Sequence, residues 1–104
     1  MAGNNPEGAG NRIELWGRIL AEPELRTTPA GTSVLRIMVE AGEDSALAAV
    51  MIGGQASSIR GVLRAGSEVR VTGSLRAVRR KMKSGLTEAA YEVMAETIEV
   101  LNRF

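Results

Sequence analysis

Between residues 60 and 83 the chain carries Arg60, Arg64, Arg70, Arg76, Arg79, Arg80, Lys81 and Lys83 against a single acid, Glu68. Five of these cations fall in R-A-V-R-R-K-M-K, residues 76–83, directly before Ser84-Gly85. The whole protein is formally only +1, so positive charge is gathered here and balanced elsewhere. Arginine and lysine stay charged at neutral pH and donate several hydrogen bonds each. A dense set without acids suits a polyanion, and nucleic acid is the default partner. A basic run ending in a turn signal predicts a cationic hairpin reaching out from a folded body. The plainer reading is a solvated hairpin whose charge keeps the chain soluble.

Other chemistry is narrowed by what is absent. The 104 residues contain no Cys and no His, which removes disulfides, thiolate metal sites, thiol nucleophiles and imidazole bases. Glu88, Glu92, Glu96 and Glu99 recur unevenly near the C-terminus and read as a solvated edge that would repel a polyanion, not as a metal-binding pair. The chain is therefore expected to be a binding protein, not an enzyme, with no metal or cofactor. Absence of Cys also fits a reducing compartment.

Secondary candidates surround the basic run. Trp16 shares a strand face with Arg12 and Arg18. It has three readings: a base stacked between two phosphate contacts, an anchor in a subunit interface, or a residue of the core or rim. Arg26 falls in the first hairpin loop, and Arg36 points outward from the second strand; each would add to a basic face or be a simple surface cation. Arg60 and Arg64 read as a solvated helix face. Tyr91, at the start of the last strand and ahead of its core, reads as packing more than as a stacking platform.

The elements that must position these residues follow from hydrophobic period. Residues 12–20, R-I-E-L-W-G-R-I-L, alternate and predict a strand, with Gly17 marking a bend or bulge. Residues 21–32 hold Pro23, Pro29 and Gly31 and read as a loop or a hairpin with a long turn. Alternation resumes over 33–40. Residues 47–52 are continuously apolar, as in a strand covered on both faces. Over 55–65 the period becomes helical, with Gly61 shortening the helix and Gly66 as a stop. Residues 67–75 and 91–101 alternate again. In the latter, Tyr91, Val93 and Ala95 give way to Ile98 and Val100, which places a bulge near Glu96-Thr97. Five strands with one short helix between the third and fourth is the plan of the all-β OB-fold, a Greek-key barrel. In that fold the hairpin between the last two strands is a binding loop.

A hydrophobic content of 44% is enough for a single folded domain of this length. Residues 1–11 are expected to be a flexible tail and 12–104 the domain. No run of about 18 apolar residues is present, so no membrane helix is expected. M-A-G-N-N-P-E-G-A-G lacks the basic start and apolar stretch of a signal peptide, which predicts a cytoplasmic location.

Several segments carry a family resemblance. N-R-I-E-L-W-G-R-I, then P-E-L-R-T-T-P-A-G-T-S-V, resembles the opening of bacterial single-stranded DNA-binding proteins. A-G-S-E-V-R-V-T-G-S-L-R resembles their G-x-x-V-x-V-x-G-x-L segment. K-S-G-L followed by A-E-T-I-E-V-L looks most like the short primosomal replication protein N branch of that superfamily. The similarity covers residues 11–101. The chain stops at Asn102-Arg103-Phe104, without the Gly-rich linker and acidic tip of the general binders, which also resembles the primosomal branch. One departure stands out: S-A-L-A-A-V occupies the third-strand start, where the superfamily often has Trp. Base–aromatic stacking is worth about 1–3 kcal/mol per base, so affinity should be modest and carried by phosphate contacts.

The resemblance implies a homodimeric single-stranded DNA binder acting in replication restart, with a restart helicase and helicase-loading proteins as partners. Its nucleic-acid contacts would be Arg76, Arg79, Arg80, Lys81 and Lys83, supported by Arg12, Trp16, Arg18, Arg26 and Arg36. Two other readings stay open: a general single-strand binder without its tail, and an OB-fold interaction subunit whose basic arm docks an acidic protein. RNA is also open, since a basic arm does not test for a 2′-hydroxyl.

Overall fold

The structure, a computed structural model, describes residues 10–101. The alternation of the first segment forms β1 (Ile13–Ile19), which buries Leu15 and Ile19 and exposes Trp16 and Arg18. Two strands follow, β2 (Glu24–Thr27) and β3 (Ser33–Glu40), paired antiparallel from Glu24 opposite Arg36 to Thr27 opposite Ser33. The segment 21–32 is thus a hairpin. It contributes a sixth strand that alternation did not reveal, because all four β2 residues are exposed and the sequence has no buried face to show. The turn is held by Thr28 N–H to Thr32 O at 2.8 Å and Gly31 N–H to Thr28 O at 2.8 Å.

β4 (Ala46–Ile52) buries four consecutive residues, Ala48, Ala49, Val50 and Met51, as its continuous apolar run predicts. Ala49 and Met51 face the core. Ala48 and Val50 face outward but lie between longer neighbours: Met38 and Glu92 flank Ala48, and Arg36 and Met94 flank Val50. The helix α1 (Gly54–Arg60) then sets Ala56 into the core. It is shorter than the 55–65 that period suggests. Gly61 is its C-cap, in keeping with the roughly 1 kcal/mol that glycine costs inside a helix. Leu63 still reaches the core from the following turn.

β5 (Glu68–Lys81) and β6 (Thr87–Val100) are each 14 residues long. β5 runs six residues beyond the expected end at 75, so the basic run is itself strand, and β6 begins four residues before Tyr91. R-A-V-R-R-K contains no Gly or Pro to break the ladder, which continues unbroken to Lys81 opposite Thr87. Thr72 opposes Thr97 and Gly73 opposes Ala95, leaving Glu96 as the extra residue of a bulge. That is where the slipped alternation predicted one.

The sheet order is β1-β5-β6-β4-β3-β2, with β4 and β6 parallel and the other pairs antiparallel. A short β1–β3 pairing, Arg18 opposite Glu40 and Ile19 opposite Val39, closes it into a barrel. At Gly17, β1 passes from β5 to β3, and a Cβ there would collide with the Glu40 carbonyl. The core is aliphatic, with Leu35, Ile37, Val39, Val69, Val71 and Val93 fully enclosed. A closed, mostly β barrel with one helix entering the fifth strand is the OB-fold, and the expected fold class holds.

Candidate nucleic-acid interface

The basic arm exists because β5 and β6 outrun every other strand. β1 registers with β5 only as far as Gly73 opposite Ile13, and β4 registers with β6 at Glu92, Val93 and Met94. Beyond these points the ladder from Ala77–Tyr91 to Lys81–Thr87 is a two-stranded ribbon, with the Arg76–Glu92 pair at its base. Its base is fastened by Asn11, whose Nδ2 donates to Leu75 O at 3.0 Å and whose Oδ1 accepts from Leu75 N–H at 2.6 Å. The tail expected over 1–11 otherwise falls on residues 1–9, outside the described residues. The turn closes with Met82 N–H to Leu86 O and Gly85 N–H to Met82 O, and Gly85 adopts φ 90°, where a side chain would be strained.

The two faces of the ribbon differ chemically. Strand alternation puts Arg76, Val78 and Arg80 on one face, opposite Glu92, Ala90 and Glu88. Arg76 is held by Glu92 in a tight ion pair, and Glu92 is largely buried, its side chain 14% exposed. The other face carries Leu75, Ala77, Arg79 and Lys81 opposite Val93, Tyr91, Ala89 and Thr87, and holds no acid. Arg79, Arg80, Lys81 and Lys83 form no ion pair with any described residue. They are exposed and available to a ligand.

The acid-bearing face continues onto the outer surface of the barrel. Val34, Met38, Ala48, Val50, Ile52 and Met94 form an apolar floor there across β3, β4 and β6. Arg26 and Arg36 stand along one side of this floor, with Glu24 opposite Arg36, and Arg76 stands on the other. Strands are spaced about 4.8 Å apart, so Arg36 and Arg76 flank a strip about 14 Å wide. The strand-pair face of an OB-fold is its usual ligand surface. Sequence reading missed this floor because its members are scattered over three strands, and only the register assembles them.

Trp16 and Arg18 lie apart from this surface. Trp16 is 60% exposed and borders an open depression of about 720 Å³ lined by Arg18, Glu40, Glu43, Asp44 and Glu68. Arg18 pairs with Glu40 at 3.3 Å, and the neighbouring Arg70 with Glu14 at 3.7 Å and Glu99 at 3.4 Å. A phosphate approaching Trp16 meets carboxylates on several sides. Arg12 is exposed one residue before β1. The structure thus brings Arg76 and Arg80 together with Arg26 and Arg36 on one surface, sets Arg79 and Lys81 on the other face of the arm, and separates Trp16 and Arg18 from both.

No curated protein matches the chain. The model of the single-strand binding protein family matches residues 10–101, the whole of the described barrel and arm, and the chain belongs to that family.

Proposed function

We propose that this protein is a cytoplasmic accessory binder of replication restart, in the manner of primosomal replication protein N. It captures single-stranded DNA electrostatically and stabilises a restart helicase on it before helicase loading. The observation that carries this reading is the free-standing ribbon, whose Arg79, Arg80, Lys81 and Lys83 have no acidic partner among the described residues. The strand lies over the apolar floor between Arg26, Arg36 and Arg76, then along the arm. The floor has aliphatic and thioether side chains where other binders would stack bases, so phosphate contacts dominate and sequence preference is slight. Arg12 adds a contact near the arm's base. A homodimer is part of this proposal, with Trp16 as the exposed anchor of the subunit contact.

The deciding experiment is fluorescence anisotropy of a labelled oligo-dT of about 30 nucleotides, with matched duplex as competitor. Over a salt series, log K should fall with log salt at about −0.7 per phosphate contacted. Preference for the single strand and a steep slope support the reading. No binding at low salt sinks it and favours the protein-docking subunit. Light scattering of the free protein reports the dimer, and retention of a restart helicase on forked DNA reports the restart role.

Glu92 offers a test in the opposite direction. Glu92→Gln releases Arg76 and removes a carboxylate beside the floor. Binding should tighten about fivefold near 0.1 M salt, the value of one added phosphate contact. Anisotropy at that salt concentration checks it.

A further inference from the structure

The sequence leaves Tyr91 as a packing residue, but the fold places it outside the core. It continues the core-facing stripe of β6, two residues before the fully buried Val93. At Val93 the ribbon still has β4 as a neighbour, through Ala49. Tyr91 lies just past the last β4–β6 register pair, Ala48 opposite Glu92, and past the last β1–β5 pair at Gly73. The ring is 56% exposed. Across the ladder it meets Ala77, whose methyl leaves the ring open.

Its surroundings are those of a nucleotide site. Along the same face come Arg79 opposite Ala89 and Lys81 opposite Thr87, with neither cation in an ion pair. Side chains on one strand face repeat about every 7 Å, so the aromatic plane is followed by two phosphate-binding groups in line. Below Tyr91, Leu75 is exposed and extends the apolar surface toward the barrel. The acids of the arm, Glu88 and Glu92, lie on the opposite face with Arg80 and Arg76.

We infer that Tyr91 is a base-stacking platform, and that it forms with Arg79 and Lys81 a second single-strand contact on the arm face turned away from Glu88 and Glu92. The ligand is an unpaired nucleobase with its following phosphates. The strand therefore wraps the ribbon and uses both of its faces, gaining back on the arm some of the stacking that the barrel floor lacks. This inference rests on the reading of the arm as a single-strand binder.

The test measures oligo-dT affinity and its salt slope for Tyr91→Ala, Tyr91→Leu and Tyr91→Phe. Stacking is worth about 5- to 150-fold in affinity per base. Alanine and leucine should both weaken binding within that range and leave the salt slope unchanged, because no phosphate contact is lost. Phenylalanine should bind like the native protein. Leucine keeps the bulk and apolar character of the ring, so its loss of affinity separates stacking from packing. A 5-iodouracil-substituted oligonucleotide should also crosslink to the peptide containing Tyr91. Native affinity in the alanine or leucine variant overturns the inference while leaving the single-strand reading intact. So does a lost dimer mass with DNA binding unchanged, which assigns the ring to a subunit contact. A native protein that binds no oligonucleotide overturns both.

Discussion

Changing Arg79, Arg80 and Lys81 together to alanine is expected to weaken single-strand binding about a hundredfold near 0.1 M salt. The slope of log K against log salt should flatten by about 2. Both figures come from counterion release: each phosphate contact on a single strand contributes about 0.7 to the slope, and so about 0.7 log units one decade below 1 M salt. Three contacts give a loss of about two log units. The estimate applies to these three because none is engaged in an ion pair with a described residue. No internal partner has to be given up before DNA is bound, and none is stranded when the side chain is removed.

The same substitutions should leave the melting temperature nearly unchanged. All three residues lie on a ribbon that contributes nothing to the buried core, and surface changes of this kind usually stay within about 0.5 kcal/mol. Arg76 provides the contrast. Alanine there leaves Glu92 largely buried without its partner, so part of any lost affinity would come from a weakened ribbon base. A double change of Arg60 and Arg64, on the helix side of the barrel, should leave the slope as it was. If the triple variant keeps its slope, the phosphate contacts belong to the floor between Arg26, Arg36 and Arg76. Anisotropy over a salt series distinguishes these outcomes.

The sequence made the arm legible because its signal is local. Five cations in eight residues followed by Ser84-Gly85 can be counted without knowing the fold. What it could not show is that the arm has two unlike faces. That depends on the register of β5 against β6, which the bulge at Glu96 resets far from the arm. A register slipped by one residue would have paired Tyr91 with Arg76 or Val78 and set Glu88 opposite Arg79 or Lys81. The barrel strands were likewise legible where one face is buried, as in β1 and β3, and β2 was not, because none of its residues is buried. Trp16 shows the remaining limit. It alternates in phase with Arg12, just before β1, and with Arg18, which suggested a cationic strand face. The acids that offset them come from the end of β3, the turn after it and the start of β5, and only closure of the barrel brings them alongside.

That closure is also where the largest loss of stability is expected. Gly17→Ala should cost about 3 kcal/mol or more, beyond the usual range for an added methyl group in a packed interior. The new Cβ would fall on the carbonyl carbon and oxygen of Glu40, which are backbone atoms and cannot rotate aside. Relief requires β1 and β3 to separate at the short seam, where the pairs Arg18–Glu40 and Ile19–Val39 and the Leu20 N–H to Met38 O bond hold the barrel shut. Opening it would expose Ile19 and Val39, both fully buried, and would strain the Arg18–Glu40 ion pair. For a domain of this size each kcal/mol shifts the midpoint by about 4–8 °C, so a fall of at least 12 °C is expected. Thermal unfolding followed by circular dichroism measures it. Trp16 adds a second probe, since it is the chain's one tryptophan and adjoins the seam. Gly31→Ala gives the comparison, because that glycine has open space around its Cβ position and only its φ of 87° to strain. It should cost less, about 1–2 kcal/mol. Equal losses at the two positions would mean that β1 and β3 move apart easily, and that the seam does not hold the barrel.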